Sequence, residues 1–136
     1  MESLTFTPGD AFLSSDSHAV PWSAVFEDEG DTGYFYACDR SREKLDDSIL
    51  DGMLVYNVRS IEAKERIVSI EWSRDGMKAV LYLDGVPQAM ADFGARRGYC
   101  RANFPNFLAE QGDVWDRSSH EWSDAVMAEF EAALYV

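Results

Sequence analysis

A run of acidic side chains between two aromatic stretches is the first feature of this sequence that suggests chemistry. The stretch FEDEGDTGYFYACD places Glu27, Asp28, Glu29 and Asp31 within five positions. Clustered carboxylates can bind metal ions, act as catalytic acids or bases, attract a basic partner, or keep a turn in water. Each of these roles requires a different set of surrounding residues.

Neither a protease nor a calcium-binding pattern fits the acidic run. The triplet DTG that begins at Asp31 occurs at the active site of aspartic proteases, but here acidic residues precede it where that family has an apolar strand. We therefore expect Asp31 to be solvated and ionised. An EF-hand loop centred on Gly30 would need carboxylates where Val25 and Tyr36 stand. We predict no catalytic residue, metal site or cofactor, and a loose, weak cation site is the alternative for these carboxylates.

Basic residues cluster in the sequence RRGYCR. Arg96, Arg97 and Arg101 flank Tyr99 beside a glycine, and guanidinium groups bind phosphates and carboxylates through paired hydrogen bonds. These four residues are therefore a candidate anion-binding ligand site. The alternative is that the arginines neutralise neighbouring carboxylates.

The histidines and cysteines form no catalytic or zinc-binding pattern. We predict that His18 and His120 lie at the surface, in an N-terminal loop and in the first turn of the last helix. Cys38 and Cys100 are isolated within predicted strands and are expected to be buried free thiols. A disulfide or a reactive thiol is the alternative.

The net charge of −13 is concentrated at the two ends of the chain. Residues 1–39 contain eight acidic residues and no Lys or Arg, and residues 102–136 contain seven acidic residues and one Arg. Such ends repel nucleic acid phosphates and anionic lipids, so we predict neither as a partner. They attract a basic protein.

The length and hydropathy of the chain limit the number of domains and argue against a membrane span. The 136 residues fit one domain. The longest apolar runs are far shorter than the roughly 20 residues needed to span a bilayer, and the first residues resemble no signal peptide. We predict a single cytoplasmic domain spanning residues 1–136.

Strand patterns dominate the middle of the chain. A hairpin is predicted from Trp22–Asp28 and Tyr34–Cys38, and a meander from three β-rich runs separated by Gly-containing turns. The runs of the meander are Arg66–Ser73, Met77–Leu83 and Val86–Phe93. Further strands are predicted at Leu54–Val58 and Gly98–Ala102. The run from Ala79 to Leu83 is apolar on both faces, which is typical of a central strand covered on each side.

Two helices are predicted. Ser41 would cap a short helix over Arg42–Asp51, and Ser118 with Glu121 would form the capping box of a C-terminal helix. The predicted docking stripe of the second helix comprises Trp122, Ala125, Val126, Glu129, Phe130, Ala133 and Leu134. The sequence thus predicts an α+β fold, with a mainly antiparallel sheet of five to seven strands and a C-terminal helix packed on one face.

Several blocks between Pro21 and Pro105 resemble one family of short bacterial proteins. The blocks read PWSAVFEDEGDTGYFYA, ILDGMLVYNV, IEWSRDGMKAVLYLDGVPQAMADF and RGYCRANFP. They resemble domain-of-unknown-function family 2251, with its FEDxGxTGYFYA-type block. The resemblance implies a stand-alone bacterial protein with no assigned activity, catalytic residue or cofactor.

The leading functional hypothesis is a non-enzymatic binding or regulatory protein, comparable in size and charge to inhibitor or immunity proteins. Its acidic surface, including Glu27, Asp28, Glu29 and Asp31, would meet a basic protein partner. The alternative is a small-ligand-binding or enzymatic domain that uses the arginine-rich anion site. A homodimer formed through an edge strand or an aromatic patch is a third hypothesis.

Overall fold

The computed structural model describes residues 1–43, 48–102, 115 and 120–134. Within these ranges the chain forms nine strands and one α-helix. The strands are β1 (Glu2–Phe6), β2 (Ala11–Asp16), β3 (Trp22–Asp28), β4 (Thr32–Asp39), β5 (Ile49–Asn57), β6 (Arg66–Trp72), β7 (Lys78–Leu83), β8 (Val86–Asp92) and β9 (Arg97–Cys100), and the helix is α1 (Asp124–Ala133). A short 3₁₀ turn, Val58–Ser60, follows β5.

The strands form two antiparallel sheets instead of the single large sheet that the sequence predicted. One sheet has four strands in the order β2-β3-β4-β5, and the other has five in the order β1-β6-β7-β8-β9. Strands β2–β5 and strands β6–β9 each form a meander in which consecutive strands pair, and β1 pairs with β6 at the edge of the second meander. The chain changes sheet between β1 and β2 and again after β5. The prediction of mainly antiparallel pairing with a C-terminal helix on one face is confirmed.

The main core lies between the two sheets. Alternate side chains of each strand point to the same face of a sheet, so the inward positions of both sheets meet. Buried members of this core include Phe26, Phe35, Met53, Val68, Ile70, Leu81 and Phe93. Trp115 also belongs to this core and meets the ring of Phe93 edge-on at 5.1 Å between centroids.

Strand β7 is buried on both faces, as its apolar sequence predicted. It is the middle strand of the five-stranded sheet. Ala79, Leu81 and Leu83 face the core between the sheets. Val80 faces the opposite way and, with Met90 of β8, contacts a second cluster formed by α1. The molecule therefore has three layers: the four-stranded sheet, the five-stranded sheet and the helix.

The predicted β-meander is confirmed, and its Asp-Gly turn has the expected conformation. Asp84 and Gly85 have φ angles of 52° and 80°, which is the pattern of a tight hairpin turn. Asp84 also stabilises this turn with its side chain, since its carboxylate accepts the Ile67 N–H at 2.9 Å and pairs with Arg66 at 2.9 Å.

The helix predictions need correction. Of the helix predicted over Arg42–Asp51, Ser48 is helical, residues 49–51 instead begin β5, and residues 44–47 lie outside the described residues. The C-terminal helix begins later than predicted: Ser123 is its N-cap and accepts the Val126 N–H at 3.2 Å. Ser118 lies outside the described residues.

The buried stripe of α1 also differs from the predicted one. Met127 and Phe130 are its buried residues, and Trp122, Val126 and Leu134 pack beside them. The predicted members Ala125, Glu129 and Ala133 are exposed. A ten-residue helix needs only a narrow stripe to dock, because two large side chains fill the contact. No helix of the described part is long and apolar enough to cross a bilayer.

Truncating Phe130 to Ala tests the docking of α1. Phe130 is 2% exposed, so the substitution should lower the free energy of unfolding by about 3–5 kcal/mol through lost contacts and a cavity. The exposed neighbour Glu131 provides the control, since Glu131→Ala should change stability by less than about 0.5 kcal/mol. Urea unfolding measures both. Equal, small effects would contradict the docked helix.

Candidate functional site

The acidic run lies in β3 and in the turn to β4, but its members have different environments. The hairpin itself is confirmed by the pairing of β3 with β4. Asp28 was expected to be solvated with its neighbours; instead it is 1% exposed. Its carboxylate accepts hydrogen bonds from the Gly9 N–H at 2.7 Å, the Gly30 N–H at 2.9 Å and the Tyr56 hydroxyl at 2.5 Å. Asp28 therefore links the turns that contain Gly9 and Gly30 to β5. Because it is buried, it cannot take part in a surface contact.

Glu29 and Asp31 are exposed at the tip of the hairpin. The Glu29 carboxylate accepts hydrogen bonds from the Thr32 hydroxyl at 2.5 Å and from the N–H groups of Asp31 and Thr32 at 2.9 and 3.0 Å. These bonds, the one from the Thr32 hydroxyl most of all, lower the pKa of Glu29. Glu29 stays ionised and fixes the turn, and Asp31 extends from the same tip.

The outer face of the four-stranded sheet brings Glu27 together with aromatic side chains. Cross-strand pairing aligns Phe12, Glu27 and Tyr34 in one row, and Val25 with Tyr36 in the next. We call these five residues the acidic–aromatic face. Phe12 is 60% exposed and the others are half-buried. The rings of Tyr34 and Tyr36 stack at 5.8 Å between centroids.

Burial and the nearby carboxylate of Glu27 keep the phenol of Tyr36 neutral. The pKa of Tyr36 is raised to about 12, first by burial and then by the negative charge of Glu27. A neutral phenol ring has a negative π face that attracts cations. The face therefore combines a carboxylate with two cation-attracting rings.

The arginine-rich segment lies along β9, an edge strand of the five-stranded sheet. Arg97 and Tyr99 lie on the same face of the strand, with the guanidinium 4.9 Å from the ring centroid. Arg101 lies over Trp122 at 4.4 Å, and its Nε donates to the Pro87 carbonyl at 2.6 Å. Arg96 is exposed in the preceding turn. The predicted ligand residues are thus neighbours along the chain, but the guanidiniums of Arg97 and Arg101 lie over different rings.

A shallow groove of about 330 Å³ runs between β9 and the start of α1. It is lined by Arg97, Tyr99, Glu121, Trp122, Ser123 and Val126. Two of the four predicted ligand residues, Arg97 and Tyr99, therefore line one groove. The carboxylate of Glu121 adds a negative charge to the same wall, which opposes the binding of an anion there.

A buried carboxylate–imidazole pair is the polar feature that sequence reasoning missed. His120, predicted at the surface, is 2% exposed, and Asp51 is 1% exposed. His120 Nε2 and Asp51 Oδ1 are 2.7 Å apart and form a hydrogen bond. Gly98 lies directly against this pair. The signal in the sequence was weak: Asp51 interrupts the apolar run of residues 49–56, and such a residue in a strand needs a partner.

Residues 115 and 120 join the two sheets where β5 and β9 meet. The Trp115 N–H donates to the Leu50 carbonyl of β5 at 3.4 Å, and the Cys100 N–H of β9 donates to the His120 carbonyl at 3.1 Å. With the side-chain pair of Asp51 and His120, these bonds tie β5 to β9. We call this contact the β5–β9 seam. The β5–β9 seam closes one side of the sandwich formed by the two sheets.

Both cysteines are free and buried, which confirms their predicted state. Burial raises the pKa of Cys38 to about 12, so its thiol is protonated at neutral pH and a poor nucleophile. His18 is exposed in the connection between β2 and β3, as predicted. Within the described ranges no group of three or more His, Cys, Asp or Glu residues is placed to hold a metal ion.

Tyr56→Phe tests the anchoring role of Asp28. Removing the hydroxyl leaves a buried carboxylate with one donor fewer, so the free energy of unfolding should fall by about 1–3 kcal/mol at neutral pH. The pKa of Tyr56 is raised by burial and by Asp28. Because the folded state favours the protonated phenol, its contribution is full below the ordinary tyrosine pKa of about 10 and is lost as pH rises above it.

The variant should therefore lose less stability between neutral and alkaline pH than the wild type. Chemical unfolding at a series of pH values measures this difference, and Tyr99→Phe is the control because Tyr99 is half-buried beside Arg97. Identical pH profiles for wild type and Tyr56→Phe would contradict the anchoring role.

Gly98→Ala tests the β5–β9 seam. A Cβ at this position would overlap Asp51 Oδ2 and lie 2.8 Å from Met53 Sδ, so the free energy of unfolding should fall by about 1–3 kcal/mol or more. Gly94→Ala is a matched control four residues away, where the nearest atom is 3.5 Å from the new Cβ. Thermal unfolding compares the two. A smaller loss for Gly98→Ala than for Gly94→Ala would refute the close contact.

Comparisons with known proteins agree with the resemblance seen in the sequence blocks. The model of family DUF2251, described as "Uncharacterized protein conserved in bacteria", matches residues 6–131. An uncharacterised protein of Haemophilus influenzae is 37% identical over 107 residues, which cover 74% of this chain and 65% of the relative's length. No solved structure matches. The chain belongs to the DUF2251 family of bacterial proteins.

Proposed function

We propose that this protein is a non-enzymatic binding or regulatory protein that recognises a basic protein partner through its four-stranded sheet. The observation that carries the proposal is the distribution of charge between the sheets. Strands β2, β3, β4 and β5 contain no Lys or Arg, whereas the five-stranded sheet contains Arg66, Lys78 and Arg97. A positively charged partner surface is therefore attracted to the four-stranded sheet.

The exposed carboxylates near the acidic–aromatic face support this assignment. Glu29 and Asp31 extend from the hairpin tip, and Glu27 lies on the sheet surface beside them. Asp28 is excluded from the contact because it is buried. Long-range attraction by such a surface speeds association and depends steeply on salt, while the aromatic side chains supply apolar area to a bound partner.

The alternative, a small-ligand-binding or enzymatic domain using Arg96, Arg97, Tyr99 and Arg101, has less support. Arg97 and Tyr99 line the groove beside α1, but Glu121 lines it as well. Arg101 already contacts Trp122 and the Pro87 carbonyl. Homodimerisation and a cytoplasmic location stay predictions from the sequence.

A charge-matched pair of triple variants tests the proposal. Glu27→Gln/Glu29→Gln/Asp31→Asn removes the carboxylates of the proposed surface, and Glu62→Gln/Glu65→Gln/Glu71→Gln removes the same charge elsewhere. Each immobilised protein is exposed to nuclease-treated bacterial lysate at low and high salt. We expect the wild type and the second variant to retain the same basic proteins at low salt only, and the first variant to lose them.

Two results would contradict the proposed function. One is the absence of any basic protein from the wild-type eluate at both salt concentrations. The other is equal retention by the two triple variants, which would show that net charge, and not this surface, determines binding. Circular dichroism of all three proteins checks that the substitutions leave the fold intact.

A further inference from the structure

Strand β2 is an edge strand of the four-stranded sheet, and alternate backbone groups along it point away from β3. Where β2 ends, the Ser17 N–H donates to the Trp22 carbonyl at 2.9 Å, in the same register as the rest of the β2–β3 ladder. Hydrogen-bonded pairs alternate along an antiparallel ladder, so Leu13 also bonds to β3. The N–H and carbonyl groups of Phe12 and Ser14 therefore point outward, at the open side of the sheet.

The edges formed by β5 and β9 are protected, and the edge formed by β2 is not. The Leu50 carbonyl of β5 and the Cys100 N–H of β9 have backbone partners, and the β4–β5 pairing is broken by two register shifts. Proline, lysine and bulges also protect sheet edges, but β2 has no Pro, Lys or Arg and pairs with β3 in continuous register. Among the residues that the structure describes, no hydrogen bond to the outward backbone groups of Phe12 or Ser14 is found.

Strand β1 is the edge of the other sheet on the same side of the sandwich, but its exposed side chains differ from those of β2. By the same alternation, the backbone groups of Ser3 and Thr5 point outward from β1. Their side chains are short and polar, as is that of Ser14 on β2, whereas β2 also presents Phe12, which is 60% exposed. A strand added beside β2 would cover this ring, and such cross-strand contacts stabilise pairing.

The charges at the two ends of β2 favour a basic strand. Asp10 directly precedes β2 and is exposed, and Asp16 ends it with a side chain that is 58% exposed. Asp16 pairs with Arg40 at 3.4 Å, but both side chains face water, so this pair is weak. A second copy of β2 would bring the same carboxylates to the edge of a chain whose net charge is already −13, whereas a strand with Lys or Arg is attracted.

We propose that the outer edge of β2 is a strand-addition site, at which an extended segment of the basic partner pairs with the backbone of Phe12 and Ser14. Asp10 and Asp16 flank the edge, so the matching segment carries a Lys or Arg at each end and an apolar side chain between them against Phe12. This inference rests on the proposed function and adds to it the conformation and residue pattern of the partner.

Amide hydrogen exchange tests whether this edge is open in the protein alone. We expect the Phe12 and Ser14 amides to exchange at least about tenfold faster than those of Leu13 and Ser15, which bond to β3. Protection of Phe12 and Ser14 that is independent of protein concentration would show that a segment of the same chain covers the edge. Protection that grows with concentration would show that a second copy covers it. Either result would overturn the inference.

The capped peptide KTVTVTK is the probe for the added strand, and NMR titration with amide exchange measures its binding. Residues in a hydrogen-bonded pair direct their side chains to the same face, so a peptide that places its valines beside Phe12 must pair with β2 through its valine amides. We expect the amides of Phe12 and Ser14 to become protected in the complex. A peptide with glutamates in place of both lysines should bind about tenfold more weakly.

Two N-methylated forms of the peptide are matched controls, because they have the same charge and composition. N-methylation of the two valine amides removes the donors that would face β2 and should weaken binding about tenfold. N-methylation of two threonine amides, which would face away from β2, should leave the affinity unchanged. Equal affinities of the two forms would contradict backbone pairing.

Two proline substitutions test the same edge from the side of the protein. Ser14→Pro removes a donor that points away from β3, a position at which edge strands tolerate proline, and should weaken the peptide about tenfold. Ser3→Pro makes the same change at the outward side of β1 and should leave the affinity unchanged. Equal effects of the two substitutions would refute the site at β2. Circular dichroism checks both folds, and the N-methylated peptides test the inference on the wild type if Ser14→Pro does not fold.

The outcomes separate this inference from the proposed function. If the carboxylate triple variant loses its basic partner while Ser14→Pro retains it and the peptide leaves Phe12 and Ser14 unprotected, the acidic surface stands and strand addition is refuted. If the wild type retains no basic protein and does not bind the peptide, both proposals fail.

Discussion

The burial of the five-stranded sheet on both faces determines the rest of this structure. Strand β7 places Leu81 toward one layer and Val80 toward the other, so this sheet must be covered twice. The four-stranded sheet covers one side and α1 covers the other. Among the described residues, α1 packs on the five-stranded sheet, and on the outer face of the four-stranded sheet Phe12 is exposed while Tyr34 and Tyr36 are half-buried. The candidate binding surface is therefore a consequence of the layer order.

Local patterns explain how much of this fold could be predicted from sequence. The β3–β4 hairpin and the β6–β8 meander were predictable because turn residues such as Asp84-Gly85 separate runs with strand composition. The two-sided apolar pattern of β7 also indicated its central position. The division into two sheets was not predictable in this way. Alternation of apolar and polar residues along a strand indicates that one face is buried, but it does not indicate which sheet covers that face. The start of α1 was misplaced because both Ser118 and Ser123 have the chemistry of an N-cap, and only packing selects between them.

The candidate site, too, could be predicted from the sequence only in part. Sequence spacing identified the acidic run, but treated its four members as equivalent. Asp28 and Glu27 are adjacent in a strand and point to opposite faces, so one is buried and bonded by Tyr56 while the other reaches the surface. The Asp51–His120 pair joins residues far apart in sequence, and no local signal predicts such a pairing. Gly98 is required there because a side chain would occupy the space of the pair.

The β5–β9 seam also affects how the protein resists self-assembly. Open strand edges present unpaired backbone groups that can template intermolecular stacking of the kind seen in fibrils. Here the Cys100 N–H and the Leu50 carbonyl are occupied by residues 120 and 115, and β1 lies beside β2 at the opposite side of the sandwich. A second chain that paired with these two backbone groups would first have to displace Trp115 and His120. The seam therefore leaves fewer unpaired backbone groups at Leu50 and Cys100 for such stacking.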